Sequence, residues 1–198
     1  QQCIKEKWSY RELRRQINSA LFERLALSKN KKQLRVLSKK GQKIEKAEDI
    51  VKNEYCLEFL GLEQDKKYRE TTLETSIINN LEKFLLELGK GFAFVKRQFR
   101  IHINNKHFFV DLVFYNMILK CYVLIDLKTK EVSHSDIGQM NMYLNYFNKE
   151  ERLAGDNETV GIVLSTKKDD IEIEYALGGI TNKIFASKYK LYLPNKKI

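Results

Sequence analysis

The segment FFVDLVFYNMILKCYVLIDLKTK, residues 108–130, consists of two apolar arms joined by a short link, and each arm carries one aspartate. The arms are rich in Val, Ile, Phe and Tyr, so each predicts a β-strand. Side chains alternate along a strand, which predicts two sets that each share a face: Phe109, Asp111, Val113 and Tyr115 in the first arm, and Tyr122, Leu124, Asp126 and Lys128 in the second.

The register of this hairpin predicts a metal site. A turn centred between Ile118 and Leu119 places Asp111 directly opposite Asp126. Like charges opposed on paired strands destabilise the pair by roughly 0.2–1 kcal/mol. A hard cation that prefers oxygen ligands, such as Mg²⁺, removes that repulsion. The two aspartates, with Lys128 two residues further on, therefore indicate a magnesium site.

Composition describes a basic, folded protein with no membrane segment. The chain has 198 residues, 43% of them hydrophobic. No apolar run approaches the roughly 20 residues needed to span a bilayer. The net charge of +10 favours a polyanionic partner, although a charge surplus can also serve solubility alone. The three cysteines, Cys3, Cys56 and Cys121, form neither a disulfide framework nor a zinc motif, which predicts a reducing cytoplasm.

Residues 1–65 are predicted to be a basic helical N-terminal segment, the end of a larger helical region. Helical spacing of apolar residues covers 9–28, a weaker and very basic helical stretch covers 31–56, and 61–70 reads as a linker. These helices could also pair two copies of the chain. Residues 29–46 hold eight basic residues against one acid, Glu45.

Residues 66–198 are predicted to form a second domain with a mixed sheet. The expected elements are a helix over 71–89 with a Thr71–Glu74 capping box, strands over 92–103, 106–116 and 121–128, a helix over 135–148, a strand over 159–165, a short helix over 171–177 and a strand over 183–186. An antiparallel meander followed by a crossover helix and another strand implies an α/β (α+β) mixed sheet with helices on its faces.

Four motifs carry a family resemblance: ELGKGFAFVKRQF (87–99), VDLVFYN (110–116), LIDLKTK (124–130) and GQMNMYLNYF (138–147). With them, residues 71–194 resemble the C-terminal domain of YhcG-type nucleases in the PD-(D/E)xK superfamily. The helical stretch 8–30 is similar to the end of that family's N-terminal region. The resemblance implies a restriction-endonuclease-like core of helix, three-stranded meander, crossover helix and strand. It also implies cleavage of DNA backbones that depends on Mg²⁺, for which Mn²⁺ can substitute.

The resemblance assigns roles to the hairpin. Asp111 matches the superfamily's metal-binding aspartate, and Asp126 and Lys128 match its (D/E)xK pair. The carbonyl of Leu127 is the usual third protein ligand, and Lys128 would orient or activate the attacking water. Two departures stand out, because Val110 replaces a proline and Asp126 stands where the closer family usually has glutamate. Without the flanking motifs, an ordinary Asp–Lys surface pair would explain the spacing equally well.

Residues from two helices are also expected at the site. Gln139 and Tyr143 match a Q-x-x-x-Y element of RecB-like nucleases and share a helix face, although a polar rim residue and an ordinary aromatic would look the same. A glutamate from the first helix often completes such sites. Glu82 is preferred over Glu74, because Glu74 already serves the predicted cap and Glu82 interrupts an apolar stripe.

The remaining predictions concern nucleic acid. Contacts with it are predicted for Tyr143, for Lys130 and His134 near the hairpin, and for five residues of the basic stretch: Lys31, Lys32, Arg35, Lys39 and Lys40. A merely solvated charged face is the plain alternative for that stretch. The sequence thus predicts a metal-dependent DNA nuclease. The alternative is a catalytically silent nucleic-acid-binding subunit of a defence or restriction-type assembly.

Overall fold

The computed structural model describes residues 44–63 and 66–192. Its regular elements are, in chain order, β1 (Glu54–Cys56), α1 (Glu70–Asn79), α2 (Leu81–Leu88), β2 (Phe92–Ile103), β3 (Lys106–Asn116), β4 (Cys121–Glu131), α3 (His134–Tyr146), β5 (Val160–Lys167), α4 (Asp170–Leu177) and β6 (Lys183–Lys190). Two short 3₁₀ turns, Ala47–Ile50 and Glu58–Leu60, flank β1, and a π-turn, Phe147–Glu151, extends α3.

The six strands form one mixed sheet in the order β1-β6-β5-β4-β3-β2. Strands β2, β3 and β4 are antiparallel neighbours, whereas β4, β5, β6 and β1 run parallel. Parallel neighbours need crossover connections, which α3 supplies between β4 and β5 and α4 between β5 and β6. The predicted mixed sheet of meander, crossover helix and strand is confirmed.

Each face of the sheet carries its own hydrophobic core. On one face, α1 and α2 pack through buried residues such as Leu73, Ile77 and Phe84. On the other face, α3 packs through Ile137, Met140 and Leu144. Because both faces are covered, β4 and β5 are apolar on both sides, as is typical of buried parallel strands.

The β3–β4 turn is closed by the buried side chain of Asn116. Its Oδ1 accepts hydrogen bonds from the backbone N–H groups of Ile118 and Leu119, at 3.1 and 3.0 Å, and its Nδ2 donates to the carbonyl of Lys90. The pairing of Asn116 with Cys121 puts the turn centre between Ile118 and Leu119. The register predicted from the sequence is therefore confirmed.

Helix α3 approaches the sheet closely at Gly161 of β5. A Cβ atom at this position would lie 2.7 Å from both Cγ and Sδ of Met140. Any larger residue would require the Met140 side chain or the helix itself to move. Gly161 therefore fixes the distance between β5 and the helix that carries Gln139 and Tyr143.

Two predictions about helices are wrong. The helix expected over 71–89 is two helices, because the chain breaks at Asn80, whose side chain hydrogen-bonds back to the carbonyl of Ser76. The predicted Thr71–Glu74 capping box is absent, since α1 begins at Glu70 and its N-cap residue Arg69 makes no side-chain capping bond.

The N-terminal prediction is wrong over its described part. Residues 44–56 contain a 3₁₀ turn and β1 rather than a continuous helix, and β1 pairs with β6 in the sheet. The described residues belong to a compact unit that begins at Ile44, earlier than the expected boundary after residue 65. The helix predicted over 9–28 lies outside the described residues. Within residues 44–63 and 66–192, no helix is both long and apolar enough to cross a membrane.

Candidate active site

The candidate site lies where β3 and β4 separate. Their ladder ends at the pair Leu112 and Ile125, so Asp111 and Asp126 follow at the first positions beyond it. Instead of continuing the ladder, the Asp111 carboxylate accepts a hydrogen bond from the backbone N–H of Leu127 through Oδ2, at 2.8 Å. This bond fixes the carboxylate of Asp111 beside the end of β4.

Asp126 is a buried carboxylate with one cationic neighbour. It is 3% exposed, and Lys128 Nζ lies 2.7 Å from its Oδ2. Through this ion pair Lys128 partly compensates the buried negative charge. Burial, reinforced by the negative charge of Asp111, raises the pKa of Asp126 from 3.8 to about 7, against the opposing effect of Lys128. Without a further cation, the Asp126 carboxyl therefore holds its proton to a higher pH than an ordinary aspartate does.

Lys128 is held among carboxylates. Burial lowers the pKa of its ammonium group, but the charge of Asp126, their ion pair, and the charges of Glu70 and Asp136 outweigh burial, so the pKa of Lys128 lies above 10.5. Asp136, which caps α3 by accepting a bond from the N–H of Ser133, lies 3.9 Å from Lys128 Nζ. In this arrangement Lys128 is a cation at neutral pH.

A third carboxylate reaches the site through Gln98. The Gln98 Nε2 group donates to Asp111 Oδ1 at 3.0 Å and to Glu74 Oε2 at 2.7 Å. Glu74, on α1, is only 2% exposed, and its Oε1 lies 2.9 Å from Arg97 Nε. One amide group therefore connects the first helix to the aspartate of β3, and Arg97 compensates the buried charge of Glu74.

The backbone of Gln98 is unusual. Its φ of 47° lies in the left-handed region, although the residue is inside β2 and is not glycine. Such a conformation costs on the order of 1–3 kcal/mol and persists where the surroundings impose it. Sequence reasoning missed Gln98. The sequence did contain a signal for it, because a hairpin turn centred between Asn104 and Asn105 places Gln98 opposite Asp111.

Gln139 and Tyr143 form a connected pair on α3. The Gln139 Nε2 group donates to the Tyr143 hydroxyl at 2.6 Å, and that hydroxyl donates to the carbonyl of Phe109 at 3.1 Å. Burial and the negative charge of Asp126 raise the pKa of Tyr143 to about 12, so the hydroxyl keeps its proton. The ring is 1% exposed, so the direct nucleic-acid contact predicted for Tyr143 is wrong. Its contacts tie α3 to β3 instead.

The other predicted site residues are not gathered around the aspartates. Glu82 is exposed on α2, so Glu74 rather than the preferred Glu82 is the helical carboxylate at this site. Lys130 and His134 are both exposed, and His134 Nδ1 lies 3.9 Å from Glu172. The predicted contacts of the basic stretch, Lys31, Lys32, Arg35, Lys39 and Lys40, lie outside the described residues.

The donor set suits a divalent cation that keeps its water. Among the described residues, no three His, Cys, Asp or Glu side chains are gathered as ligands. The protein thus offers the carboxylates of Asp111 and Asp126. Mg²⁺ is usually bound through one or two carboxylates and retains several waters. The two carboxylates, whose negative charges act on each other in a largely buried site, fit such an ion.

A mixed sheet whose meander ends in two aspartates and a lysine, reinforced from the first helix, defines a nuclease domain of the PD-(D/E)xK class. The chain belongs to the YhcG PDDEXK nuclease domain family, whose model matches residues 48–198. It is 40% identical over 190 residues to the protein described as "Putative nuclease YhcG" of Escherichia coli (strain K12). That match covers 96% of this chain and 50% of the relative, so the chain spans about half the length of that protein.

Two solved structures show distant similarity. A repair endonuclease from Pyrococcus abyssi aligns with 67% of this chain and 50% of its own, at 17% identity and a TM-score of 0.45. An EndoMS–dsDNA2 complex aligns with 68% of this chain and 51% of its own, at 16% identity and a TM-score of 0.44. Similarity at this level says nothing about substrate.

Proposed function

We propose that this domain hydrolyses phosphodiester bonds in DNA with the help of a divalent metal ion. The observation that carries the proposal is the pair of carboxylates of half-buried Asp111 and buried Asp126, with the ammonium of Lys128, at one end of the sheet. A phosphodiester is anionic and resists attack, so a nuclease must supply positive charge and a positioned nucleophile at the same place.

The carboxylates of Asp111 and Asp126, with the carbonyl of Leu127, would hold Mg²⁺, or Mn²⁺ in its place. Such an ion polarises a phosphoryl oxygen and lowers the pKa of a bound water. The hydrogen bond from the Leu127 N–H orients the Asp111 carboxylate, and the amide of Gln98 holds its other oxygen. Ligands fixed in this way need no rearrangement when an ion arrives.

We assign to Lys128 the orientation of the attacking water and the stabilisation of the negative charge that develops on the phosphate. Its ammonium group is protonated and held beside Asp126. From that position it would orient the attacking water by donating a hydrogen bond and stabilise negative charge on the phosphate. Preorganised donors of this kind each contribute about 2.7–4 kcal/mol of transition-state stabilisation. Gln139, through Tyr143, keeps α3 in register with β3.

DNA is the proposed partner because the chain carries a net charge of +10. Exposed Lys130 near the end of β4 and exposed His134 at the start of α3 would contact backbone phosphates. The basic stretch 29–46 would add affinity without reading bases. The pairing of two copies through N-terminal helices and the reducing cytoplasm stay predictions from the sequence.

Cleavage assays on linear, nicked and branched DNA test the proposal, with Mg²⁺, Mn²⁺ or a chelator present. We expect metal-dependent cleavage that Asp111→Ala, Asp126→Ala and Lys128→Ala each abolish. Asp126→Glu should retain it, since it restores the commoner residue. Asp170→Asn, an exposed aspartate on α4, is the control that should cleave normally. Equal cleavage by wild type and Asp111→Ala would contradict the proposal.

The second candidate is a catalytically silent subunit that only binds nucleic acid. It is favoured by one observation, the aspartate at position 126 where the closer family usually has glutamate. DNA binding without cleavage under every metal condition would support it, and recovery of cleavage in Asp126→Glu would assign the silence to that residue.

A further inference from the structure

The outer half of the β2–β3 hairpin forms a surface of cations and aromatic rings next to the site. Between Gln98 and Val110 the sequence contains no Asp or Glu. Arg100 Nη2 lies 2.8 Å from His107 Nε2, and the rings of His102 and His107 stack with centroids 4.8 Å apart. All three residues are exposed. A surface of this kind suits an anionic partner with flat rings.

Phe109 completes this surface. It pairs with Arg100 across the ladder, so the two side chains leave the hairpin on the same side. Its ring is 47% exposed, whereas the neighbouring Phe108 and Val110 pack against the core beneath α3. The half-exposed ring beside Arg100 offers a flat apolar surface next to a cation.

The prediction that Phe109 shares a face with Val113 is wrong. Val110 and Val113 are three residues apart, yet both belong to the core beneath α3, while Leu112 belongs to the opposite core. The alternation of β3 is therefore interrupted at Asp111 and Leu112, where β4 departs. This interruption turns Phe109 away from α3 and out into solvent.

Phe109 is also close to the aspartates and fixed in place. The Tyr143 hydroxyl binds its carbonyl at 3.1 Å. It is two positions from Asp111, a distance of about 7 Å along a strand. One strand of a duplex rises about 3.4 Å per nucleotide. A nucleotide that stacks on Phe109 would thus lie one or two steps from a phosphate at the aspartates.

A base reaches such a ring only when it is unpaired. In a duplex both faces of every base are covered by neighbouring bases, so stacking on a side chain requires a single strand, an end or an extruded nucleotide. Aromatic rings that alternate with cations are the usual surface for single strands, and they tolerate any base sequence. The outer hairpin has these two components.

We infer that the outer β2–β3 hairpin binds unpaired DNA next to the cleaved phosphate, with Phe109 stacking on one base and Arg100 binding the backbone. This inference rests on the proposed nuclease function and adds its substrate class, DNA with an unpaired stretch beside the scissile bond. The two histidines extend the same surface toward the hairpin tip.

Fluorescence anisotropy on the full chain in chelator, where no cleavage is expected, tests the inference. The probes are a blunt duplex and the same duplex with a short unpaired extension. Phe109→Ala should weaken binding of the extended probe about tenfold and leave the blunt duplex unchanged. Phe109→Trp should restore the preference. Tyr175→Ala, an aromatic that is 83% exposed on α4, is the matched control and should change neither affinity.

Arg100→Gln tests the second component. It should weaken both probes and reduce the slope of log affinity against log salt by about 0.7–0.9. Lys149→Gln, a highly exposed lysine on the π-turn, should leave the slope unchanged. Equal loss of both probes, or no loss, in Phe109→Ala overturns the inference while the nuclease proposal stands. A wild-type chain that binds neither probe overturns both.

Discussion

The side-chain amide of Gln98 donates a 3.0 Å hydrogen bond to Asp111, across the ladder from it. The same nitrogen donates to Glu74 on α1, so its two hydrogens serve two carboxylates. A neutral amide therefore stands where direct contact would bring two negative charges together. The left-handed backbone of Gln98 delivers the amide to this position.

Comparing Gln98→Ala with Gln98→Gly separates two contributions to stability: that of the side-chain amide and that of the left-handed backbone. Both variants lose the amide, and a buried acceptor left without a donor costs about 1–3 kcal/mol. Glycine adopts a positive φ freely, so Gln98→Gly should be more stable than Gln98→Ala by about 1 kcal/mol. Thermal unfolding in chelator measures both values. If alanine proves the more stable of the two, the left-handed conformation does not form in solution.

Glu74→Gln should reduce cleavage by about 10- to 100-fold, the usual effect of removing a group that orients a metal ligand. Its partners would change, because Gln98 and Arg97 lose a charged acceptor. Glu82→Gln removes an exposed glutamate from the neighbouring helix and is the matched control. We expect Glu82→Gln to cleave like wild type. A larger loss in Glu82→Gln than in Glu74→Gln would return the role to Glu82.

Asp126→Asn should stabilise the metal-free protein in a pH-dependent manner. The pKa of Asp126 rises from 3.8 to about 7 on folding, so between these values the folded state holds a proton that the unfolded state has lost. Wild-type stability therefore falls as pH rises through this window, by at most about 1.4 kcal/mol per pH unit. The asparagine variant lacks this loss, and its advantage should grow from pH 4 to pH 7 and then level off.

Melting temperatures in chelator measure that advantage. Asp170→Asn is the control, because the pKa of Asp170 is shifted in the opposite direction. In the wild type, the hydrogen bond and ion pair between Asp170 and Lys168 lower this pKa. This variant should gain nothing between pH 4 and pH 7. Added Mg²⁺ should raise the melting temperature of wild type and not that of Asp126→Asn. An advantage that is constant across pH would show that Asp126 titrates normally.

The basic stretch 29–46 should supply affinity for DNA and little specificity. Each phosphate contact contributes about −0.9 to the slope of log affinity against log salt on duplex DNA. Replacing Lys31, Lys32, Lys39 and Lys40 with Gln should flatten this slope by roughly 2–4 units. Cleavage at saturating DNA should continue, because the aspartates lie on another segment. An unchanged slope and affinity would make the stretch a solvated face or a contact for another protein.

Local patterns predicted the hairpin and the two aspartates. Strands β2 and β3 begin and end at the predicted residues, because alternation and the Asn104–Asn105 turn are encoded within a few residues. The position of Asp126 opposite Asp111 follows from the turn that Asn116 closes. These features depend only on neighbours along the chain or across one ladder.

Features set by distant packing could not be predicted. Glu74 reaches the site because α1 lies against the sheet, whereas the local signals, a predicted cap at Glu74 and an apolar stripe around Glu82, favoured Glu82. Strand β1 has only three residues, too few to produce a periodic signal. The break at Asn80 interrupts the helical pattern at one residue, which the pattern does not reveal. The reversal of faces at Asp111 depends on the departure of β4, which alternation within β3 does not report.

Strand β1 has a practical meaning for any shortened form of this domain. Its three residues pair in parallel with Lys188, Tyr189 and Lys190, and the segment is secured by Lys52, whose Nζ lies 3.2 Å from Glu87 Oε1. A chain cut to begin after Cys56 would expose the backbone of β6 along a bare sheet edge and remove buried Tyr55. Exposed sheet edges pair with one another, so such a truncation would promote edge-to-edge aggregation. The opposite edge, β2, carries Lys96, Arg97 and Arg100, and these charges resist the same association.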